Sequence, residues 1–163
     1  MRHRTTMVLA AFAVAAAPPA GAQGVRMERN LSLDMARAIG ETALETCRNN
    51  GFHVSVTVLD RAGQVRVALR DDNARPHTME NSQRKAYTAR TFRIPSGEFV
   101  KRVKENPTIG AVHLSGIIAA QGALPIKAGD EVIGAVGVSG APGGEKDEAC
   151  AKAGIAKVEA SLK

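Results

Sequence analysis

The sequence predicts one α/β domain in which a sheet built mainly from antiparallel hairpins lies between helices. Three observations predict it. Two stretches of alternating apolar residues each double back at a glycine-containing turn. Helical spacing frames those stretches on both sides. The length, 163 residues, leaves room for one domain of ordinary size.

The elements follow in order. Ser32 is a suitable N-cap, and Met35, Ala36, Ile39, Ala43, Leu44 and Cys47 recur at helical spacing behind it. Asn49-Asn50-Gly51 ends that helix, with Gly51 suited to a left-handed position. Val54, Val56 and Val58 then alternate with Ser55, Thr57 and Leu59. After a turn at Asp60-Arg61-Ala62-Gly63, Val65, Val67 and Leu69 alternate again. Asp71 to His77 reads as a polar loop. Thr78 can cap a second helix running to about Thr91, and Ile94-Pro95 breaks it. Ser96 can cap a third helix reaching Asn106, and the signals conflict from Pro107 to Ser115. A second hairpin joins Gly122–Lys127 to Glu131–Ser139 through Ala128-Gly129-Asp130. Its Val132–Val138 run is apolar enough for a central strand covered on both faces. Gly140 to Gly144 reads as a loop. Asp147 opens a last helix, along which Ala149, Ala153, Ala156 and Ala160 form a small-residue stripe.

The N-terminus is expected to be an address rather than part of the fold. Arg2 and Arg4 precede the apolar run Val8–Ala17, and Ala20-Gly21-Ala22 has the A-x-A form of a cleavage site. Residues 1–22 are therefore expected to be a secretory signal and 23–163 a single domain, periplasmic or secreted. The apolar run is too short for a membrane anchor, and no other stretch approaches a bilayer span. Losing the signal removes two arginines and no acid, so part of the +6 net charge belongs to it. The remaining basic residues are interleaved with acids, as in Lys101-Arg102-Val103-Lys104-Glu105, and aromatics make up only 3%. Both features argue against nucleic acid as a partner.

Cys47 and Cys150 are the only cysteines. In an oxidising compartment they can form one bridge closing a long loop; as thiols they would be small apolar core residues. The residues alone leave both open.

Several motifs fail on inspection. Gly137-Val138-Ser139-Gly140-Ala141 lacks the spacing of a nucleophile elbow, and Gly134, Gly137 and Gly140 match neither a dinucleotide fingerprint nor a phosphate loop. Two isolated cysteines and scattered histidines do not make a structural zinc set.

Five blocks in order do resemble a family. They are Arg70–Pro76, Arg84-Lys85-Ala86-Tyr87-Thr88-Ala89, Gly122-Ala123-Leu124-Pro125-Ile126, Val132–Ala141 and Asp147-Glu148-Ala149-Cys150-Ala151. Together they are similar to the GlcG/HbpS haem-binding family, from about Leu31 to Leu162. The resemblance implies a profilin-like α/β fold, a mainly antiparallel sheet flanked by helices on both faces. It also implies haem b as ligand and assembly into homo-oligomers, often octamers. Related members are linked to haem storage, haem degradation and signalling to a partner kinase. The family's glycine pair before Leu-Pro-Ile is Gln121-Gly122-Ala123 here. In the family fold the first and last helices lie side by side, and Cys47 and Cys150 sit on them, which favours a disulfide.

A haem pocket needs an axial donor, apolar walls and cations for the propionates. His77, in a loop directly before a helix, is the first candidate for the iron, with helix capping or solvent exposure as its plain alternative. His113, among Val112, Leu114 and Ile117, is the second, with a satisfied core histidine as its alternative. His53 reads as a strand end. Met79 and Tyr87 are donors by type, although packing is the ordinary role at their helix positions. Arg75, Arg84 and Lys85 are candidates for the propionates, or ordinary surface charges. The loop Gly140–Gly144 can take an anion through backbone N–H groups, or be a plain turn.

Three functions compete on these residues. The first is an exported protein that binds haem for transport, buffering or sensing. The second is an enzyme on the same scaffold, degrading haem or acting on a small carboxylate with His77 and Glu80 as base and acid. The third is an interaction protein docking on a membrane sensor. No nucleophile-base-orienter set is visible to favour catalysis.

Overall fold

The structure, a computed structural model, describes residues 24–163. The expected signal at 1–22 lies outside the described residues. The chain runs α1 (Leu33–Asn49), β1 (Ser55–Asp60), β2 (Val65–Arg70), α2 (Thr78–Phe92), α3 (Ser96–Glu105), β3 (Ala123–Ala128), β4 (Glu131–Ser139) and α4 (Gly144–Lys157). A turn of 3-10 helix at Gly110–His113 lies in the segment where the sequence signals conflict, and another at Glu159–Ser161 follows α4. The strands are ordered β2-β1-β4-β3, and every neighbouring pair is antiparallel. Both expected hairpins are present, and β1 against β4 joins them.

Local chemistry explains the boundaries of α1. Ser32 Oγ accepts from Met35 N at 3.2 Å, and Gly51 closes the far end at φ +77°. Two expected caps serve elsewhere. Thr78 Oγ1 donates to Arg75 O and bonds Ser55 Oγ on β1, whereas Ser96 Oγ accepts from Ala123 N on β3. Helix α4 begins at Gly144, three residues before the expected opening, because the Asp147 carboxylate is turned back to accept from Ala141 N.

The two faces of the sheet are covered differently. Against α1 and α4 lies the main apolar core, with Ile39, Val56, Val58, Ile126, Val136 and Val138 buried. Cys47 and Cys150 form a disulfide across those two helices. The buried side of α4 carries Asp147, Cys150, Ala151 and Gly154. Of the small-residue stripe, Ala149, Ala156 and Ala160 are exposed and Ala153 is half-buried, off that buried side. Gly154 provides the close approach instead, since a Cβ there would strike the Ile39 carbonyl.

The opposite face, under α2, is packed with small and polar side chains. Leu59, Ala86, Ala89, Ala123 and Ala135 form a minor apolar cluster. Thr57 Oγ1 and Ser82 Oγ share a buried hydrogen bond at 2.8 Å, as do Ser55 and Thr78. Gly137 on β4 lets α2 sit this close, because a Cβ there would lie 2.7 Å from Ala86 N. Helix α3 is fastened to α2 by stacking of Phe92 on Phe99, with centroids 4.3 Å apart. This close, polar seating of α2 positions the candidate site.

Candidate functional site

Two cavities flank α2. The smaller, about 340 Å³, lies between the start of α2, the end of β4 and the loop Gly140–Gly144. The larger, about 840 Å³, lies between the middle of α2, the β1–β2 turn and the segment around His113.

The sequence candidates divide between them. Arg75, His77 and Lys85 line the smaller cavity; Glu80, Arg84 and His113 line the larger. Neither of these two cavities gathers all six. His77 and Glu80, three residues apart, thus open onto different cavities.

At the smaller cavity, His77 precedes α2 without a side-chain capping bond, and both it and Arg75 are exposed. Lys85 is the opposite of a surface charge. Its side chain is 4% exposed, and its Nζ donates to Asp147 Oδ2 at 2.8 Å and to Val138 O at 3.1 Å. Burial pushes the Asp147 carboxyl above its ordinary range, while Lys85 pulls it the other way. Asn81 Nδ2 donates to Ser139 Oγ at 2.9 Å beside this pair. Gly122 keeps the space open, since a Cβ there would lie 2.8 Å from Lys85 Nζ. The neighbouring Ala123 donates its N–H to Ser96 Oγ. Asp147, Asn81 and Ser139 escaped the sequence reading. Asp147 was visible only as a helix opener, and its partner lies 62 residues away.

At the larger cavity, His113 is exposed on its 3-10 turn rather than buried in the core. Arg84 donates from Nη2 to Ile117 O at 2.9 Å and pairs with Glu80 at 3.4 Å. Its Nε is buried with no partner among the described residues. Tyr87 is 38% exposed rather than packed inside. Its ring is held between Gly63 and Gly116, both at positive φ, and a Cβ on either would come within 3.1 Å of it. Leu114 is 60% exposed beside it.

This set fits a haem. A porphyrin brings four nitrogen donors of its own, so the protein need add only an axial ligand, wall contacts and cations for the propionates. His113, Tyr87, Leu114 and Arg84 supply those types at one cavity, whose lining also carries the polar Gln64, Glu80, Gln83 and Ser115. Among the described residues no group of three or more His, Cys, Asp or Glu is gathered to hold a bare metal ion. His53 stands apart, its Nδ1 3.2 Å from Asp71 Oδ2, and Arg48 reaches the same carboxylate at 2.9 Å. The Arg48 hydrogen bond is the main reason that the Asp71 carboxyl is held down to about 2.

Comparison with known proteins bears on the family and the fold. Residues 31–156 match the family model described as haem degrading protein HbpS-like. Protein GlcG of Escherichia coli K12 is 33% identical over 109 residues, 67% of this chain and 81% of that protein. The crystal structure of a double mutant of HbpS from Streptomyces reticuli superposes with a TM-score of 0.78 at 36% identity. That match covers 86% of this chain and 97% of that one. A crystal structure of a PduOC:heme complex superposes with a TM-score of 0.72 at 25% identity, covering 78% and 94%. Among the described residues no helix is long and apolar enough to cross a membrane.

Proposed function

The chain belongs to the HbpS-like family, and on that premise we propose that it is an exported haem-binding protein whose haem b lies against the larger cavity. The observation that carries this reading is the convergence of His113, Tyr87 and Arg84 on a cavity of about 840 Å³. That volume is near the upper end of ordinary ligand pockets, whereas the smaller cavity is near the lower end. The heme complex of a structural neighbour supports the ligand class.

In this proposal His113 provides the axial nitrogen, Arg84 meets a propionate, and Tyr87 with Leu114 covers the ring edge. His77, with Arg75 and Lys85, is the rival ligand set on the other side of α2. Haem bound there supplies one-electron iron chemistry; the protein's part is to seat it and limit access to it. Absorbance titration with haemin decides between the two sets. The expected result is a saturable Soret shift near one haem per chain, weakened by His113→Ala and not by His77→Ala. The reverse pattern would move the haem to the smaller cavity, and no saturable shift would remove the reading.

Export is proposed on the N-terminal pattern, and the disulfide, which persists in oxidising compartments, supports it. A mature N-terminus at Gln23 by mass spectrometry would test it. Self-association is proposed through an apolar groove of about 960 Å³ along α4 and β3, where Leu124, Pro125, Ala149, Ile155 and Ala156 are gathered. Light scattering of the pure protein reads the assembly size. Docking on a membrane sensor is its signalling form, expected as partner capture that changes with haem loading.

Haem degradation, named in the description of the matching family, is the second reading. With a reductant and dioxygen it requires decay of the Soret band and release of iron in step with it.

A further inference from the structure

The smaller cavity has the makings of a separate ligand site. Its floor is the buried pair of Lys85 and Asp147. An ammonium has three N–H donors, and the contacts to Asp147 and Val138 use two, which leaves one without a partner among the described residues. Lys85 is buried on a cavity wall, so this donor is held out of bulk water. Asn81 spends its amide nitrogen on Ser139, and that bond leaves the Asn81 carbonyl oxygen and the Ser139 hydroxyl hydrogen for a guest. Arg75 stands at the rim without an ion-pair partner among the described residues.

Charge identifies the guest. Counting Arg75, Lys85 and Asp147, the lining carries one positive charge in excess; the Glu145 carboxylate lies beside Gly143 on the lining of the neighbouring groove. One carboxylate balances it, and a dianion would overshoot. At the entry of α4 the Gly144 N–H lies on the same side, the Gly143 N–H being bonded to Ala141 O. A volume of about 340 Å³ is ample for a short acid.

We propose that this cavity binds a small monocarboxylate bearing a hydrogen-bonding substituent, with the carboxylate between Arg75 and Lys85 and the substituent on Asn81 and Ser139. The site is separate from the haem cavity, because the consecutive residues Arg84 and Lys85 line different cavities beside α2. It does not rest on the haem reading.

The test is calorimetric titration of the haem-free, disulfide-intact protein with lactate, acetate and inorganic phosphate, paired with amide NMR. Expected are saturable binding of lactate, weaker binding of acetate, and shifts at Gly143, Gly144 and the Asn81 side chain. Arg75 is exposed, so Arg75→Gln should fold normally and weaken lactate about tenfold or more, the scale of one charge-assisted hydrogen bond. Asn81→Leu should reduce the preference for lactate over acetate. Absence of saturable lactate binding, an unchanged affinity in Arg75→Gln, shifts confined to the His113 side, or phosphate binding as tightly as lactate would each overturn the proposal.

Discussion

Lys85 Nζ and Asp147 Oδ2 meet at 2.8 Å with each side chain only 4% exposed, tying α2 to α4 at the end of β4. Such a pair is held by its geometry and its extra hydrogen bonds, which offset the desolvation of two charges. Lys85→Met leaves Asp147 buried and unpaired and should cost about 3–5 kcal/mol. Lys85→Met with Asp147→Leu should recover much of that loss. Urea unfolding of the two variants measures both; equal losses would mean that the pair itself, rather than its uncompensated half, supplies the stability.

The Cys47–Cys150 disulfide spans a sequence separation of 103 residues. Constraining the unfolded chain over so long a loop is worth about 4–5 kcal/mol in the chain-entropy model. Replacing both cysteines with alanine should lower the denaturation midpoint accordingly. The change should reside in the midpoint with little loss of secondary structure, because α1 and α4 also share an apolar core.

Acid should weaken the fold through Asp71 as pH falls from about 4 to about 2. Its folded carboxyl is held at about 2 against an ordinary 3.8, chiefly by Arg48 and also by His53. The unfolded chain therefore takes up the proton more readily. The stabilisation is full above the ordinary value and is lost as pH falls from about 4 to about 2. Melting temperatures across that window should fall less steeply for Asp71→Asn, which also starts from a lower value at neutral pH.

Gly137→Ala should destabilise the fold by about 1–3 kcal/mol, since the added methyl forces α2 away from β4 at Ala86. The same displacement would disturb Asn81 and Lys85 on that helix. Denaturation read beside lactate binding should show both losses together, whereas Gly110→Ala, with open space around it, should show neither.

Tyr87 separates ring contact from hydroxyl chemistry. If it covers the porphyrin edge, Tyr87→Phe keeps haem affinity within about twofold, and Tyr87→Ala loses about three- to tenfold, the worth of one aromatic contact. A shifted Soret band in Tyr87→Phe would instead make the phenol oxygen the iron ligand.

The order of elements was legible in the sequence because each is written within a few residues. Ser32 and Gly51 bracket α1, and the alternation of Val54–Leu59 and Val65–Leu69 around Gly63 makes a hairpin whatever else the chain does. The first helix, both hairpins and the break at Pro95 are local events. Caps were less legible. Thr78 and Ser96 have the right chemistry, but the facing strands claim their hydroxyls. The alanine spacing along α4 is equally real, yet spacing does not say which side meets α1, and the glycine at 154 decides that.

The site shows the division most sharply. The sequence by itself determined the residue types available: three basic residues, two histidines and a glycine loop within blocks that resemble a haem-binding family. Chain proximity grouped Arg75, His77, Glu80, Arg84 and Lys85 together. Consecutive helical residues point about 100° apart, so Arg84 and Lys85 leave α2 in different directions and serve different cavities. Only the tertiary structure brought Asp147 across 62 residues to Lys85, closed Cys47 on Cys150, and set Tyr87 between two turns. Short-range patterns specify which elements form, because their hydrogen bonds close within a few residues. Which side chains meet is decided when those elements pack, and no local pattern records the partner.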